Sequence, residues 1–399
     1  MLLKNLKELQ SSKTSKALKL KSLYKLIAEN GPIKTETLTE LAQMKPATCA
    51  RLLDELNALG LITTAELGES TGGRKPILYN INAEGVFLIG IELSKVYSTI
   101  VLMDLKLNML DKIKISPEPY LSASEMTEKL LPKIDALLLK NKINYEKVLG
   151  LGISIEHVVE HQLVSKSLDE EFRELEILLR KKIPTYVTVG SGVHFAALAE
   201  FRLYYRQKTQ RFLFTSCDTE VRGCAIIANQ FLTDTSVTMN CFGHMTIDVK
   251  GPLCECGSYG CLNTLCSLDA IKNNVIHQIR RGKTSLLTSL ISTDNEISYH
   301  TIFQAIEMRD PLCIDALEEA AYYYGLAIAN SILILQPDIV VCGGTLIPKY
   351  TFFATVKKTI ETKLALFPNI KTEVYPANHA YEIVSQGAGA MVLEHLVNK

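Results

Sequence analysis

Gly243-His244, followed ten positions after the histidine by Cys254-Glu255-Cys256-Gly257-Ser258-Tyr259-Gly260-Cys261-Leu262, is the stretch from which the rest of this 399-residue chain is best read. Three thiolates and one imidazole make the closed, tetrahedral Cys₃His set that a structural zinc takes. Gly257 and Gly260 permit a backbone reversal tight enough for Cys261 to face the same ion as Cys254 and Cys256. The alternative is a set of free thiols, or a Cys254–Cys256 pair after oxidation, and a disulfide within Cys-x-Cys is strained. The expectation is zinc on His244, Cys254, Cys256 and Cys261, with Cys266 left as a core thiol. A closed set has no open position, so this zinc is structural rather than catalytic.

Working outward, the composition (47% hydrophobic, 22% charged) is that of an ordinary globular chain. Met1 to Lys25 interleaves lysines every few residues and contains no apolar leader. The longest apolar stretch, Ala320 to Leu335, is interrupted by Asn330, stopped by Pro337, and too short for a bilayer span. The expected location is therefore cytoplasmic, with no membrane partner, where the ten cysteines are reduced or metal-bound. Net charge is zero, but residues 1–80 carry twelve basic and eight acidic side chains, so the first 80 residues stand at +4. A basic end on an otherwise acidic chain suits a polyanion, although a solvated lysine-rich helix face would read the same way.

Those 80 residues have a recognisable order. Lys16 to Glu29 is apolar at Leu18, Leu20, Leu23, Leu26 and Ile27 and ends at Asn30-Gly31, which predicts a helix. A short second helix follows, capped at Thr35 or Thr37, with Leu38 and Leu41 inward. Pro46 opens a third helix, buried through Cys49, Leu52, Leu53 and Leu56, and Gly60 closes it. Two β-prone runs, Leu61-Ile62-Thr63 and Ile77 to Ile81, flank the loop Gly68 to Gly73. Three helices and a hairpin are the layout of a winged helix-turn-helix. The third helix would turn Lys45, Thr48 and Arg51 to the major groove, and the wing tip would bring Arg74 and Lys75 to the backbone or minor groove. A helical protein-interaction module with a basic hairpin is the competing reading. The expected domains are residues 1–80, binding DNA, and residues 81–399.

Beyond Asn82 the pattern becomes α/β. Val86 to Leu93, Ser98 to Leu105 and Met109 to Ile115 read as strands, Glu125 to Lys140 as a helix and Val148 to Ile155 as a buried strand. Arg211 to Cys217 and Gly223 to Ala228 begin a similar series, continued by the helix Pro311 to Gln336 and the strand Ile339 to Cys342. Strands, helix, strand, occurring twice, predict two lobes of related architecture.

With these residues in place, the chain resembles the ROK family (repressors, open reading frames and sugar kinases), in its NagC/XylR-type regulator branch. The resemblance runs through nearly the whole length. It rests on the wing Gly72-Gly73-Arg74-Lys75-Pro76 and, more specifically, on Gly243-His244 with Cys254 to Leu262. It implies an actin-like sugar kinase fold in two lobes behind the DNA-binding module, a homodimer or dimer of dimers, and a sugar or sugar-phosphate effector.

The departures bear on activity. In the family's kinases an Asn-Asp pair precedes a helix like Ala196-Ala197-Leu198-Ala199-Glu200, and the Asp takes the sugar proton; here the pair falls on Ser191-Gly192. Glycine cannot accept a proton. The first phosphate loop falls near Glu92 to Val96, and the second, Asp218 to Cys224, keeps only Gly223, with Glu220, Val221 and Arg222 where amides would cradle phosphate. The family's sugar-binding glutamates fall on Cys241 and Asn263, and its Pro-Gly turn on Glu156-His157. A sugar would therefore be held by another set, drawn from Ser191, His194, His244, Asn263 and His157. The expectation is a non-enzymatic transcription regulator, a repressor of carbohydrate-metabolism genes, bound to double-stranded operator DNA. A kinase with an appended DNA-binding domain and a ligand-independent DNA-binding dimer are the alternatives.

Overall fold

The computed structural model describes residues 2–66, 77–94, 98–116, 122–155, 168–232, 241–291, 296–378 and 382–398. It divides into two compact units, Met1–Lys208 with Tyr381–Lys399, and Thr209–Ala380.

The first unit opens with α1 (Leu2–Ser11), α2 (Ser15–Asn30), β1 (Ile33–Lys34), α3 (Thr35–Leu41), α4 (Pro46–Ala58), β2 (Ile62–Glu66) and β3 (Ile77–Ile81). The strands pair antiparallel in the order β1-β3-β2, with Tyr79 opposite both Ile33 and Thr64. Helix α4 starts at Pro46, whose missing N–H costs nothing at a helix entry. It stops where Gly60 turns left-handed (φ +69°), the Gly60 and Leu61 amides donating back to Asn57 and Leu56. Several expectations need correction. Helix α1 went unread because its lysines mask the Leu3, Leu6, Leu9 stripe that it buries. Strand β1 is too short to leave a period. Lys34, not Thr35 or Thr37, caps α3, and no side chain completes that cap. Leu18 and Leu41 are exposed; α2 buries Ala17, Leu20, Leu23, Tyr24 and Ile27, and Leu18 stands about 100° off that stripe.

The α/β part of the first unit runs β4 (Phe87–Leu93), β5 (Ser98–Asp104), β6 (Met109–Ile115), α5 (Ala123–Lys140), β7 (Val148–Ile155), α6 (Leu168–Lys182), β8 (Tyr186–Gly190) and α7 (Gly192–Glu200). A π-helical turn, Phe201–Tyr205, continues α7. The sheet order is β6-β5-β4-β7-β8, antiparallel among the first three and parallel across β4, β7 and β8. All eight residues of β7 are buried, as expected for a central strand covered on both faces.

The second unit repeats the plan: β9 (Arg211–Cys217), β10 (Val221–Ile227), β11 (Gln230–Phe231), α8 (Asn263–Cys266), α9 (Leu268–Arg280), α10 (Tyr299–Glu307), α11 (Pro311–Leu335), β12 (Ile339–Gly343), α12 (Phe352–Leu364) and β13 (Glu373–Pro376). Its sheet order, β11-β10-β9-β12-β13, matches that of the first unit strand for strand, with the same change from antiparallel to parallel. Much of the apolar run from Ala320 is buried in α11 and packs with Val340 and Cys342 in the core, while Tyr322 and Ile334 are exposed. No helix among the described residues is long and apolar enough to cross a membrane.

The chain then returns to the first unit as α13 (Ile383–Asn398). Its run Ser385-Gln386-Gly387-Ala388-Gly389-Ala390 is small enough to lie directly on the sheet. A Cβ on Gly90 would stand 1.7 Å from the Ser385 carbonyl oxygen, and one on Gly387 equally close to that of Phe195 in α7. Strands β4 and β7 and helix α7 are thus tied to the far end of the chain.

Candidate functional site

The four expected metal ligands converge. His244 ends a 3₁₀ turn, Cys241–His244, and the cysteines follow in a short knuckle. The Cys254 amide donates to Ser258, the Gly260 amide to Pro252 and the Ile247 amide to Gly260, so the loop folds back on the segment after His244. Gly257 and Gly260 hold φ of +86° and +64°, and a Cβ on Gly260 would stand 1.5 Å from the Asp248 carbonyl oxygen. The ligand atoms of His244, Cys254, Cys256 and Cys261 all lie within 4.8 Å of one another. Cys254 Sγ is 3.5 Å from His244 Nδ1, and Cys256 Sγ is 3.6 Å from Cys261 Sγ. Tetrahedral zinc, with Zn–S near 2.3 Å and Zn–N near 2.0–2.1 Å, requires edges of about 3.6 Å (S···N) and about 3.8 Å (S···S). The donor set and its spacing fit that ion.

The protein prepares these thiols unequally. The Ser258 backbone N–H holds the exposed Cys256 thiol below its ordinary value of 9.0. Burial, aided by the neighbouring thiols, pushes Cys261 up to about 12, and burial also raises Cys254. A divalent cation would reverse those two shifts by taking the thiolates directly. Cys266 is fully buried, as expected of a core thiol. Sequence reasoning overlooked how much of this hangs on Gly243: a Cβ there would meet Asn263 Oδ1 and the Val221 carbonyl oxygen, each at 2.4 Å. A glycine directly preceding a metal ligand was the available signal.

On α4, Lys45 and Arg51 are exposed and Thr48 is half-buried, while Cys49, Leu52, Leu53 and Leu56 are turned into the core. Three small exposed residues, Pro46, Ala47 and Ala50, accompany them. Among the described residues neither Lys45 nor Arg51 forms an ion pair; Glu55, one turn beyond Arg51, is engaged by Lys16 at 2.8 Å. The surface is low and carries the exposed cations Lys45 and Arg51, with Asp54 also exposed one turn from Arg51. Arg74 and Lys75 lie outside the described residues.

The expected ligand residues fall in both units. Ser191 and His194 are buried on the first turn of α7, Ser191 at the N-cap without a side-chain cap bond. Asn263 opens α8 in the second unit, and its Oδ1 accepts the Val221 N–H at 2.7 Å, which ties it to β10. His244 presents Nδ1 to the thiols. His157 lies outside the described residues, as does Lys95 in the first phosphate loop. In the second phosphate loop, Cys217 faces Val221 across a three-residue turn. Glu220 pairs with Arg222 there at 3.1 Å, and a Cβ on Gly223 would stand 2.6 Å from the Phe242 ring. Asp218 accepts the Thr345 N–H at 2.7 Å, binding this turn to the loop after β12.

The chain is similar to several transcription regulators. The xylose repressor of Caldicellulosiruptor bescii is 25% identical over 391 residues, covering 94% of this chain and 95% of that protein. The DNA-binding transcriptional dual regulator NagC of Escherichia coli is 24% identical over 336 residues, covering 82% of this chain and 80% of that protein. The crystal structure of a ROK family transcriptional regulator, a homolog of the E. coli MLC protein, superposes with a TM-score of 0.75 at 23% identity, covering 95% of this chain and 96% of the other. A ROK family glucokinase from Streptomyces griseus, solved with glucose and AMPPNP, superposes at 0.62 with 19% identity, covering 77% of this chain and 99% of the other. The likeness to the kinase extends to fold alone. The ROK family profile matches residues 88–395, more than three quarters of the sequence, and the chain belongs to the ROK family.

Proposed function

We propose that this chain is a sugar-responsive transcriptional repressor. Residues 1–80 would act as a winged helix-turn-helix on double-stranded operator DNA, and residues 81–399 as a ROK domain that binds the effector. The observation that carries the reading is α4: a helix whose apolar face is buried, with Arg51 exposed on it, Thr48 half-buried and Lys45 exposed at its N-cap. It precedes a ROK domain in a chain aligned over 94% of its length with a repressor. Arg74 and Lys75 would add backbone contacts from the wing. Candidate effector contacts are Ser191 and His194 in the first unit and, taken separately, Asn263 and the remaining edge of His244 in the second. The His244, Cys254, Cys256 and Cys261 set would hold one structural zinc, whose binding energy contributes to folding of the knuckle. The protein would work in the cytoplasm as a homodimer or dimer of dimers, because a two-fold protein matches a two-fold operator.

The chain would not be an enzyme. Gly192 offers no base for a sugar hydroxyl, and the paired side chains of Glu220 and Arg222 stand in a turn whose amides would have to receive phosphate. The test is to recover the genomic DNA bound by the protein, then titrate free sugars and sugar phosphates against the complex while following ATP. Release by a sugar without turnover is the expected result. Binding indifferent to every sugar would favour the ligand-independent dimer, and turnover would return the chain to the kinases.

A further inference from the structure

Four charges are largely withdrawn from solvent where α2 meets the end of α7. Arg206 Nη2 lies 2.6 Å from Glu29 Oε1, with the two side chains 8% and 9% exposed. Arg206 Nη1 lies 4.0 Å from Glu394, which also receives the Arg202 guanidinium, its Nε donating at 2.7 Å. Glu29 is on α2, Arg202 lies in the π turn that continues α7, Arg206 is the C-cap of that turn, and Glu394 is on α13. Around them, Lys25 stands 4.0 Å from Glu29 and Gln207 donates to the Asn30 carbonyl at 3.5 Å. Tyr24 is fully buried beside Arg202. Burying paired charges returns little stability compared with apolar packing of the same volume; what it provides is a definite alignment that is costly to break halfway.

The arginines sit at a second unusual feature. Phe201–Tyr205 is π-helical, closed by the Arg206 N–H to the Phe201 carbonyl oxygen at 2.7 Å. A π turn is a one-residue insertion in an α-helix, and such turns concentrate at functional sites. Its conversion to α-helix would rotate everything beyond it by about 100°. Arg206 already stands between two carboxylates, Glu29 and Glu394, so a second pairing is within reach of such a change. The same helix carries Ser191 and His194 at its other end.

We propose that the Glu29–Arg206–Glu394–Arg202 network is the coupling between α7 and the DNA-binding module, with the π turn as its two-state element. An effector engaging the start of α7 changes the register of the turn and moves Arg206 relative to Glu29. That shifts α2, on which α4 packs. The regulatory direction of this coupling rests on the repressor reading above; the mechanical link does not.

The test compares the full-length protein with Glu29→Gln, which keeps shape and removes charge, and with Glu29→Asp, which keeps the carboxylate. Hydrogen exchange of the amides of residues 201–208 and of α2 should rise together by at least about tenfold in Glu29→Gln, with β4 and β7 unchanged; the unchanged strands control for simple unfolding. Operator affinity should change by about tenfold, within the usual range of coupling between sites. Glu29→Asp should keep both properties closer to the parent than Glu29→Gln does. Faster exchange confined to α2, or equal effects in Glu29→Asp and Glu29→Gln, would overturn the coupling. Operator affinity unchanged in Glu29→Gln, with the exchange effect present, would overturn its regulatory role. If the parent protein binds no DNA at all, the repressor reading fails, and the exchange measurement still decides the mechanical link.

Discussion

Gly152 of β7 lies directly beneath Ala388 of α13, so closely that a Cβ on Gly152 would stand 1.8 Å from the Ala388 carbonyl oxygen. The contact is backbone against backbone, with no flexible side chain to yield. Gly152→Ala should therefore destabilise the protein by about 1–3 kcal/mol or more, as overpacked cores do. Urea unfolding checks this. A midpoint within error of the parent would mean that α13 can lift from the sheet without cost.

The pure protein, prepared without chelator, should contain one equivalent of zinc. Cys256→Ala should lose most of the metal, melt at a lower temperature and bind operator less well, since metal binding contributes directly to folding free energy. Elemental analysis decides the first point; clearly less than half an equivalent would remove the zinc assignment.

Arg51→Ala should weaken operator binding by about 1–3 kcal/mol and relax specificity where the side chain reaches a base. Arg74→Ala in the wing should instead lower affinity evenly across sequences and flatten the salt dependence by about one unit of slope. Binding isotherms over a range of salt separate the two. Parental behaviour in both variants would displace the DNA-facing assignment of α4 and the wing.

Asp310 caps α11 by accepting the Cys313 N–H at 2.8 Å, and it also accepts the Leu286 N–H at 2.6 Å. Burial raises its pKa, but these amides outweigh burial and hold it below the usual carboxylate value. A lowered folded-state pKa means that its stabilisation is complete above the unfolded value and is lost as pH falls through the folded one. Melting temperature should thus fall on acidification below about pH 4, and part of that fall should vanish in Asp310→Asn. Equal slopes in parent and variant would assign the acid sensitivity elsewhere.

No ATP-dependent phosphorylation of hexoses or acetylated amino-hexoses is expected. General-base assistance alone is worth about 10²–10⁴ in rate, and Gly192 cannot supply it. A coupled ADP assay with a ROK glucokinase as positive control would reveal any turnover, and robust turnover would contradict the proposal.

Much of this was legible in the residues because it is local. The strand Val148–Ile155, the paired strands of each unit and the stop of α4 at Gly60 follow from period, apolar runs and one left-handed glycine. The convergence of His244 with the three cysteines was legible for the same reason: three thiols and two glycines within eight residues leave few ways to fold, and His244 is only ten positions away. The absence of a base at Gly192 is a matter of residue type and needs no coordinates.

What lies far apart in the chain was decided by tertiary structure. That residues 383–398 return to cover β4 and β7 is invisible in a window of any practical length, because the glycines that admit the helix are some 230 to 300 positions from it. The Asn263 side-chain oxygen accepts the Val221 N–H and so ties α8 to β10, a contact across 42 positions that no local pattern announces. Glu29 and Arg206 look like two surface charges on two helices, and only the fold removes both from water and makes each the other's partner. Period and residue type report which face of an element is apolar; which distant element covers that face, and which buried charge then meets which, depends on the packed whole.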